Sequence, residues 1–335
     1  MKLLVALGGN AIKQADEVGT TTEQRANCDK AAAQLAAIVG RFAPDDWLVI
    51  THGNGPQSGN LSVQMETARD QVPVQDLDII GAMTQGQIGY MLQNTLQRHL
   101  RAEGVDKDVI AVVNQVLVDP EDPEFIADAA SKPVGNFCTA EEAEALKDQH
   151  PDYVVKKVRP GVEKSWRRCV PSPIPIANVE ARAIGRILSQ GIIVIASGGG
   201  GIPVMRDAAG DHVGLEAVID KDRAGALLAR ALGADTFLLL TDVEFAFRDY
   251  GEACAKPIGE VSLAEAMDLA AEGHFLAGSM GPKMISAIKF VEDGGTRAII
   301  SSLDKAVDAL AGKTGTIIVP DAPARARRAP GRIPR

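Results

Sequence analysis

Gly191–Pro203 reads GIIVIASGGGGIP, an Ile/Val run that ends in four consecutive glycines. An unbroken β-branched run bounded by glycines is the pattern of a central strand in a parallel sheet, covered by helices on both faces. The glycines govern what comes after the strand. Lacking a Cβ, Gly198–Gly201 can take left-handed backbone angles and let a ligand reach the amides. Loops at the carboxyl ends of parallel strands are where open α/β sheets bind ligands. One or two glycines would suffice for a tight turn, so the stretch is read as a ligand-facing loop.

Outward from this stretch the chain repeats the same rhythm. Lys2–Leu7 reads as a strand that runs into Gly8-Gly9-Asn10, and Trp47–Thr51 as a second that ends in His52-Gly53-Asn54-Gly55-Pro56. Thr21 or Thr22 is placed to cap a helix reaching Val39, and Pro56 suits the first position of the next helix. Apolar positions recur at helical spacing from Leu77 to Leu100, where Gly81, Gly86 and Gly89 leave room for a close neighbour. Val109–Val118 reads as one further strand. From Asp119 to Pro175 the prolines multiply and the rhythm breaks, with a short helix opening at Thr139 (Glu142 completing a capping box) and a polar strand candidate, Tyr153–Val158. It resumes at Asn178, placed to cap a helix to Gln190. A hairpin near Gly210, a helix from Asp222 to Leu232, the strand Thr236–Leu240, a helix capped by Ser262 and Glu265, a helix near Pro282, and strands at Arg297–Ser301 and Thr316–Val319 complete the pattern.

With 335 residues the chain can bury a large core, and at roughly 150 residues per domain about two lobes are expected. The formal net charge of −9 argues against a general nucleic-acid surface. No apolar stretch is long enough to cross a bilayer, and the N-terminal MKLLVALGGN reads as a strand rather than a signal peptide. Cys28, Cys138, Cys169 and Cys254 are scattered without metal or redox spacing, which fits a reduced, cytoplasmic setting and predicts no protein metal site. Residues 321–335, rich in proline and arginine, read as a disordered tail.

Glycine loops after strands make phosphate the first ligand to test. Gly312-Lys313-Thr314 has the end of a P-loop, but Val307 stands where its first glycine should be. Gly53-x-Gly55-x-x-x-Gly59 is a loosened dinucleotide fingerprint with a helical pattern, not a strand, after it. Lysines beside acids or glycines carry more. In Asp220-Lys221-Asp222 an ammonium alternates with two carboxylates, which suits a centre that neutralises phosphate oxygens, although acids at a helix start are favourable in any case. Gly278-Ser279-Met280-Gly281-Pro282-Lys283 aims amides and a point charge from a helix start. Thr241-Asp242 closes an apolar strand with polar groups. His52, in a glycine loop, is expected to be structural or positioning, and the other four histidines show no ligand spacing.

Six motifs in register, LGGNA from Leu7, HGNGPQ from His52, KPVG from Lys132, ASGGGGIPV from Ala196, EAVIDKD from Glu216 and GSMGPK from Gly278, resemble carbamate kinases of the amino-acid kinase superfamily. The match runs from Lys2 to about Pro320. It implies a three-layer α/β/α sandwich around a mainly parallel sheet with a small protruding subdomain. Residues 1–118 would bind carbamate or carbamoyl phosphate, 119–175 would form a lid, and 176–320 would bind ATP. Gly8, Gly9, Asn10, Gly53 and Asn54 would hold the substrate. Lys132 would reach in from the lid, Lys221 and Lys283 would neutralise the moving phosphoryl group, and Asp222 would orient them. Gly199, Gly200, Thr241, Asp242, Met280 and Gly281, with Lys221 and Lys283, would contact the nucleotide. Magnesium would arrive with ATP or ADP, and the chain would form a homodimer. Cys138 and Ala277 depart from the family pattern, which expects an aromatic residue and a proline there. The alternatives are a relative acting on another small carboxylate or phosphate, and a non-catalytic sensor of the same fold.

Overall fold

A computed structural model describes residues 1–14, 16–126, 128–159, 161–252, 254–275 and 280–321. The first elements are β1 (Lys2–Leu7), α1 (Thr21–Val39), β2 (Trp47–His52), α2 (Gly55–Thr67), α3 (Leu77–Ala102), β3 (Val109–Ala111) and β4 (Gln115–Val118). Then come β5 (Lys132–Cys138), α4 (Ala140–Gln149), β6 (Val154–Lys157), β7 (Trp166–Val170), β8 (Pro175–Asn178), α5 (Ala181–Leu188), β9 (Ile193–Ile195), β10 (Ile202–Arg206) and β11 (His212–Gly214). The rest are α6 (Lys221–Leu232), β12 (Thr236–Thr241), β13 (Phe247–Arg248), β14 (Lys256–Pro257), β15 (Glu260–Ser262), α7 (Leu263–Ala271), α8 (Met280–Glu292), β16 (Arg297–Ser302), α9 (Ala306–Leu310) and β17 (Thr316–Val319). The tail from 322 onward, Gly278, Ser279 and the side chain of Asn10 lie outside the described residues.

An eight-stranded sheet in the order β15-β17-β16-β12-β1-β2-β9-β3 is the centre of the molecule. It is parallel from β16 to β3, while β17 runs antiparallel to β16 and β15 follows β17. Successive side chains of a strand face opposite ways, so a run buried throughout needs cover on both sides. Leu3, Val5 and Leu7 accordingly join one core with Leu35 of α1, Leu92 of α3 and Ala306 of α9. Leu4 and Ala6 join the other with Ile184 of α5, Leu228 of α6, Leu269 of α7 and Phe290 of α8. The three-layer α/β/α sandwich follows from this alternation. Gly89 supplies the expected close approach, because a Cβ there would lie 2.7 Å from that of Ala111 on β3.

Two smaller sheets flank the site. β11-β10-β4-β8 forms a four-stranded sheet, and β5-β7-β6 a separate antiparallel one beside α4, whose Thr139–Glu142 capping box is present. The stretch Val109–Val118 is two strands rather than one. Val112 still donates to Ile195 O, but Asn114 N turns to Gln85 Oε1 and the chain leaves for the second sheet. Thr20, not Thr21 or Thr22, caps α1, because Glu23 reciprocates at the third position. Asn178 does not cap α5 either. It ends β8, and its amide donates to Ser197 Oγ.

Candidate active site

The parallel register brings the loops after β1, β2 and β9 to one edge. Leu7 pairs with His52 and with Leu240, and Ile50 with Ile195. Backbone bonds stitch the loops together, from Gly8 N to Leu240 O at 2.9 Å and from Gly53 N to Leu7 O at 3.1 Å. The four-glycine loop packs into this edge. Gly199 has φ +66°, and a Cβ on it would stand 2.2 Å from the Asn54 amide nitrogen; on Gly201, at φ +87°, it would stand 2.3 Å from Val116 Cγ2. The glycines therefore serve close packing of protein on protein as well as any approach of a ligand.

A buried polar network holds that loop. Ser197 sits in the left-handed region at φ 53°, and its amide donates to Asn114 Oδ1 at 2.6 Å. Its hydroxyl accepts from Asn114 and Asn178, its carbonyl accepts from Thr51 Oγ1, and the next carbonyl, of Gly198, accepts from Gln85 Nε2. Left-handed geometry at a non-glycine residue costs free energy, which these bonds offset. Sequence reasoning missed Gln85 and Asn114, since isolated amides in ordinary elements carry no pattern, and it gave Asn178 to a helix cap instead of to Ser197.

The charged centre lies at the start of α6. Asp220 caps the helix, its Oδ1 accepting from the amides of Asp222 at 3.0 Å and Arg223 at 3.2 Å. Its other oxygen accepts from Lys132 Nζ at 3.3 Å, so one carboxylate starts the helix and anchors a lysine from β5. Asp222 is divided in the same way between Lys221, on Oδ1, and Lys283, on Oδ2 at 3.2 Å. Burial alone would raise the Asp222 pKa, but the two ammonium groups outweigh it and hold the carboxyl below its usual range. Burial pulls Lys221 downward, aided by Lys283 and opposed by Asp222. His52 is buried, its pKa pushed down to about 4 chiefly by burial, with its Nδ1 3.0 Å from Gly53 O. A neutral, structural imidazole is the result.

A cavity of about 880 Å³ opens between these loops and β5. Gly9, Gly53, Asn54, Lys132, Gly199, Lys221, Asp222 and Lys283 line it together, so residues up to 274 positions apart in sequence meet at one place. Gly8 and Gly200 lie behind the wall, beneath Leu240 O and Ile219 O respectively. Thr241 and Asp242, hydrogen-bonded to each other at 2.9 Å, close β12 at the same edge beside Gly8 and are not among the residues that line this cavity. Met280 packs against the core, and Gly281 lies against the Phe275 carbonyl, where a Cβ would approach to 2.6 Å. Asp220 and Arg167 also line the cavity. The first was visible in the alternating acid–lysine pattern; the second carried no signal.

The amino acid kinase family model matches residues 1–302. The carbamate kinase of Thermococcus kodakarensis is 48% identical over 320 residues, 95% of this chain and 99% of that protein. That of Trichomonas vaginalis is 42% identical over 323 residues, 96% of this chain and all of that one. Among solved structures, the carbamate kinase of Giardia lamblia bound to AMP-PNP superposes with a TM-score of 0.88 at 40% identity, covering 96% of this chain and 98% of that one. Identity of this order over nearly the full length of both partners, on the same fold, means that the chain belongs to the carbamate kinases of the amino acid kinase family.

Proposed function

We propose that the chain catalyses reversible phosphoryl transfer between ATP and carbamate, giving ADP and carbamoyl phosphate. The observation that carries this reading is the meeting of Lys132, Lys221 and Lys283 around Asp222 and Asp220 at the edge formed by the glycine loops. Phosphoryl transfer asks little covalent chemistry of a protein; it needs reactants in line and charge stabilised on the oxygens in flight. In the direction of ATP synthesis the bond between phosphorus and the carbamate oxygen breaks as a terminal oxygen of ADP bonds to phosphorus. Lys221 and Lys283 would stabilise the transferring group and the bridging oxygen, held apart and charged by Asp222 between them. Gly8, Gly9, Asn10, Gly53 and Asn54 would present the carbamate side, and Gly199, Gly200, Thr241, Asp242, Met280 and Gly281 the nucleotide side.

Residues 1–118 and 176–320 then serve as the two lobes, and 119–175 as a lid that carries Lys132 over a substrate too small to be gripped by many groups. Magnesium enters with the nucleotide. Both oxygens of Asp222 are already taken by ammonium groups, so that carboxylate is not offered as a metal ligand. Among the described residues no helix is long and apolar enough to cross a membrane. We assign a cytoplasmic setting, which the four free cysteines favour, and a homodimer, which exposed Ile79 and Met83, one turn apart on α3, favour. A panel of acceptors with ATP tests the substrate: phosphorylation of carbamate but not of acetate or N-acetylglutamate is expected, and preference for a larger acid would assign the chain to a relative's reaction.

A further inference from the structure

Four cations and two carboxylates line the cavity: Lys132, Arg167, Lys221 and Lys283 against Asp220 and Asp222. Three of the cations are matched, Lys221 and Lys283 to Asp222 and Lys132 to Asp220. Arg167, on β7 beside the strand that bears Lys132, is different. Its Nη2 donates to Gly135 O at 2.6 Å, its Nε is buried with no hydrogen-bond partner, and no described carboxylate pairs with it. The cation beside it is of the same sign, since Arg159 and Arg167 both lie over the Phe137 ring, at 3.9 and 4.8 Å from its centroid. Burial, the largest influence, and Arg159 both disfavour its charged form.

A half-buried guanidinium with an unsatisfied donor and a like charge beside it costs free energy that an incoming anion would recover. The Phe137 ring and the Gly135 carbonyl meanwhile restrict its plane, so the fork is ordered before the anion arrives. A guanidinium matches two phosphate oxygens at once, which a lysine cannot do. Two surplus positive charges on the cavity wall suit a doubly charged phosphate ester or anhydride. Resting on the reading above, we propose that Arg167 is a second anion-binding cation of the lid, which takes the phosphate group of carbamoyl phosphate together with Lys132.

Arg167→Gln should raise KM for carbamoyl phosphate roughly tenfold or more, the usual loss for a hydrogen bond to a charged group, while KM for ADP stays within about twofold. The inhibition constant of inorganic phosphate against carbamoyl phosphate should rise by a similar factor, and Arg167→Lys should recover part of the loss. Arg159→Gln, which removes the other guanidinium on Phe137, should leave both KM values within about twofold. Unaltered kinetics in a folded Arg167→Gln protein, or an equal loss in Arg159→Gln, would overturn the proposal. Independently of folding, inorganic phosphate should protect Arg167 of the unaltered protein from phenylglyoxal, read by peptide mass spectrometry, and leave Arg159 unprotected. Equal labelling of Arg167 with and without phosphate would also refute it. Phosphate protection needs no turnover, so it separates a failure of this assignment from a failure of the carbamate reading.

Discussion

Lys283 donates to Asp222 at 3.2 Å across 61 positions of sequence, which fastens the start of α8 to the start of α6. Both side chains are buried, so neither charge is solvated freely and each depends on the other. Lys283→Ala should lower kcat by roughly 10²–10³, the loss expected when a transition-state charge stabiliser is removed. Steady-state kinetics beside a circular-dichroism melt check this, and near-normal kcat would reduce Lys283 to a structural partner of Asp222. Asp222→Ala should destabilise the protein as well, by about 3–5 kcal/mol, because it leaves two ammonium groups close together without their carboxylate.

Lys132 is tied to the body through Asp220, and separate variants distinguish reach from charge. Lys132→Ala should depress kcat/KM for carbamoyl phosphate roughly tenfold or more with little change in ADP affinity. Asp220→Asn keeps a good helix cap while releasing the lysine, so it should give a partial loss and retain the melting temperature to within a few degrees. A loss confined to nucleotide binding in either variant would remove Lys132 from the substrate side.

Gly199→Ala places a methyl group against Asn54 at a positive φ, two faults at one position. Because the amide of Asn54 is held by Thr84 Oγ1 at 2.9 Å, the clash cannot be relieved without breaking that bond. Activity should fall at least tenfold and stability by about 1–3 kcal/mol. A variant with wild-type melting and turnover would show that the loop can shift.

His52 gives a pH signature. Its folded pKa, about 4, lies below the ordinary 6.5, so between those values the unfolded chain binds more protons than the folded one. Stability from this residue is therefore full above pH 6.5 and lost as pH falls towards 4, about 3 kcal/mol in all. His52→Gln should lack that part of the acid sensitivity. Denaturant melts of both proteins from pH 7.5 to 4.5 test it; parallel curves would mean that His52 titrates alike in the folded and unfolded chains, so that burial does not shift it.

The central strands were legible because parallel burial writes continuous apolar runs, as in Lys2–Leu7 and Gly191–Ala196. Lys221 and Lys283 were legible because short-range spacing with acids or glycines betrays them, whereas Lys132 entered only through the resemblance of its KPVG motif. What failed was long-range. Nothing local tells that the strand reading of Val109–Val118 must break where Asn114 turns to Gln85, or that Asn178 serves Ser197 instead of a helix. Arg167 was hidden for the same reason, since its isolation from carboxylates is a fact of three dimensions. Asp220 was half legible: its place in the acid–lysine pattern showed, but its bond to Lys132, 88 positions away, did not.

The most direct measurement follows ATP formed from ADP and carbamoyl phosphate by the purified protein, with magnesium and with excess chelator. The glycine loops and lysines leave much of the nucleotide's charge to the metal. ATP should therefore appear in step with carbamoyl phosphate consumed when magnesium is present and fall to background in chelator. No ATP under either condition, with the protein folded, would contradict the proposed reaction, and equal rates in both would contradict the role given to magnesium.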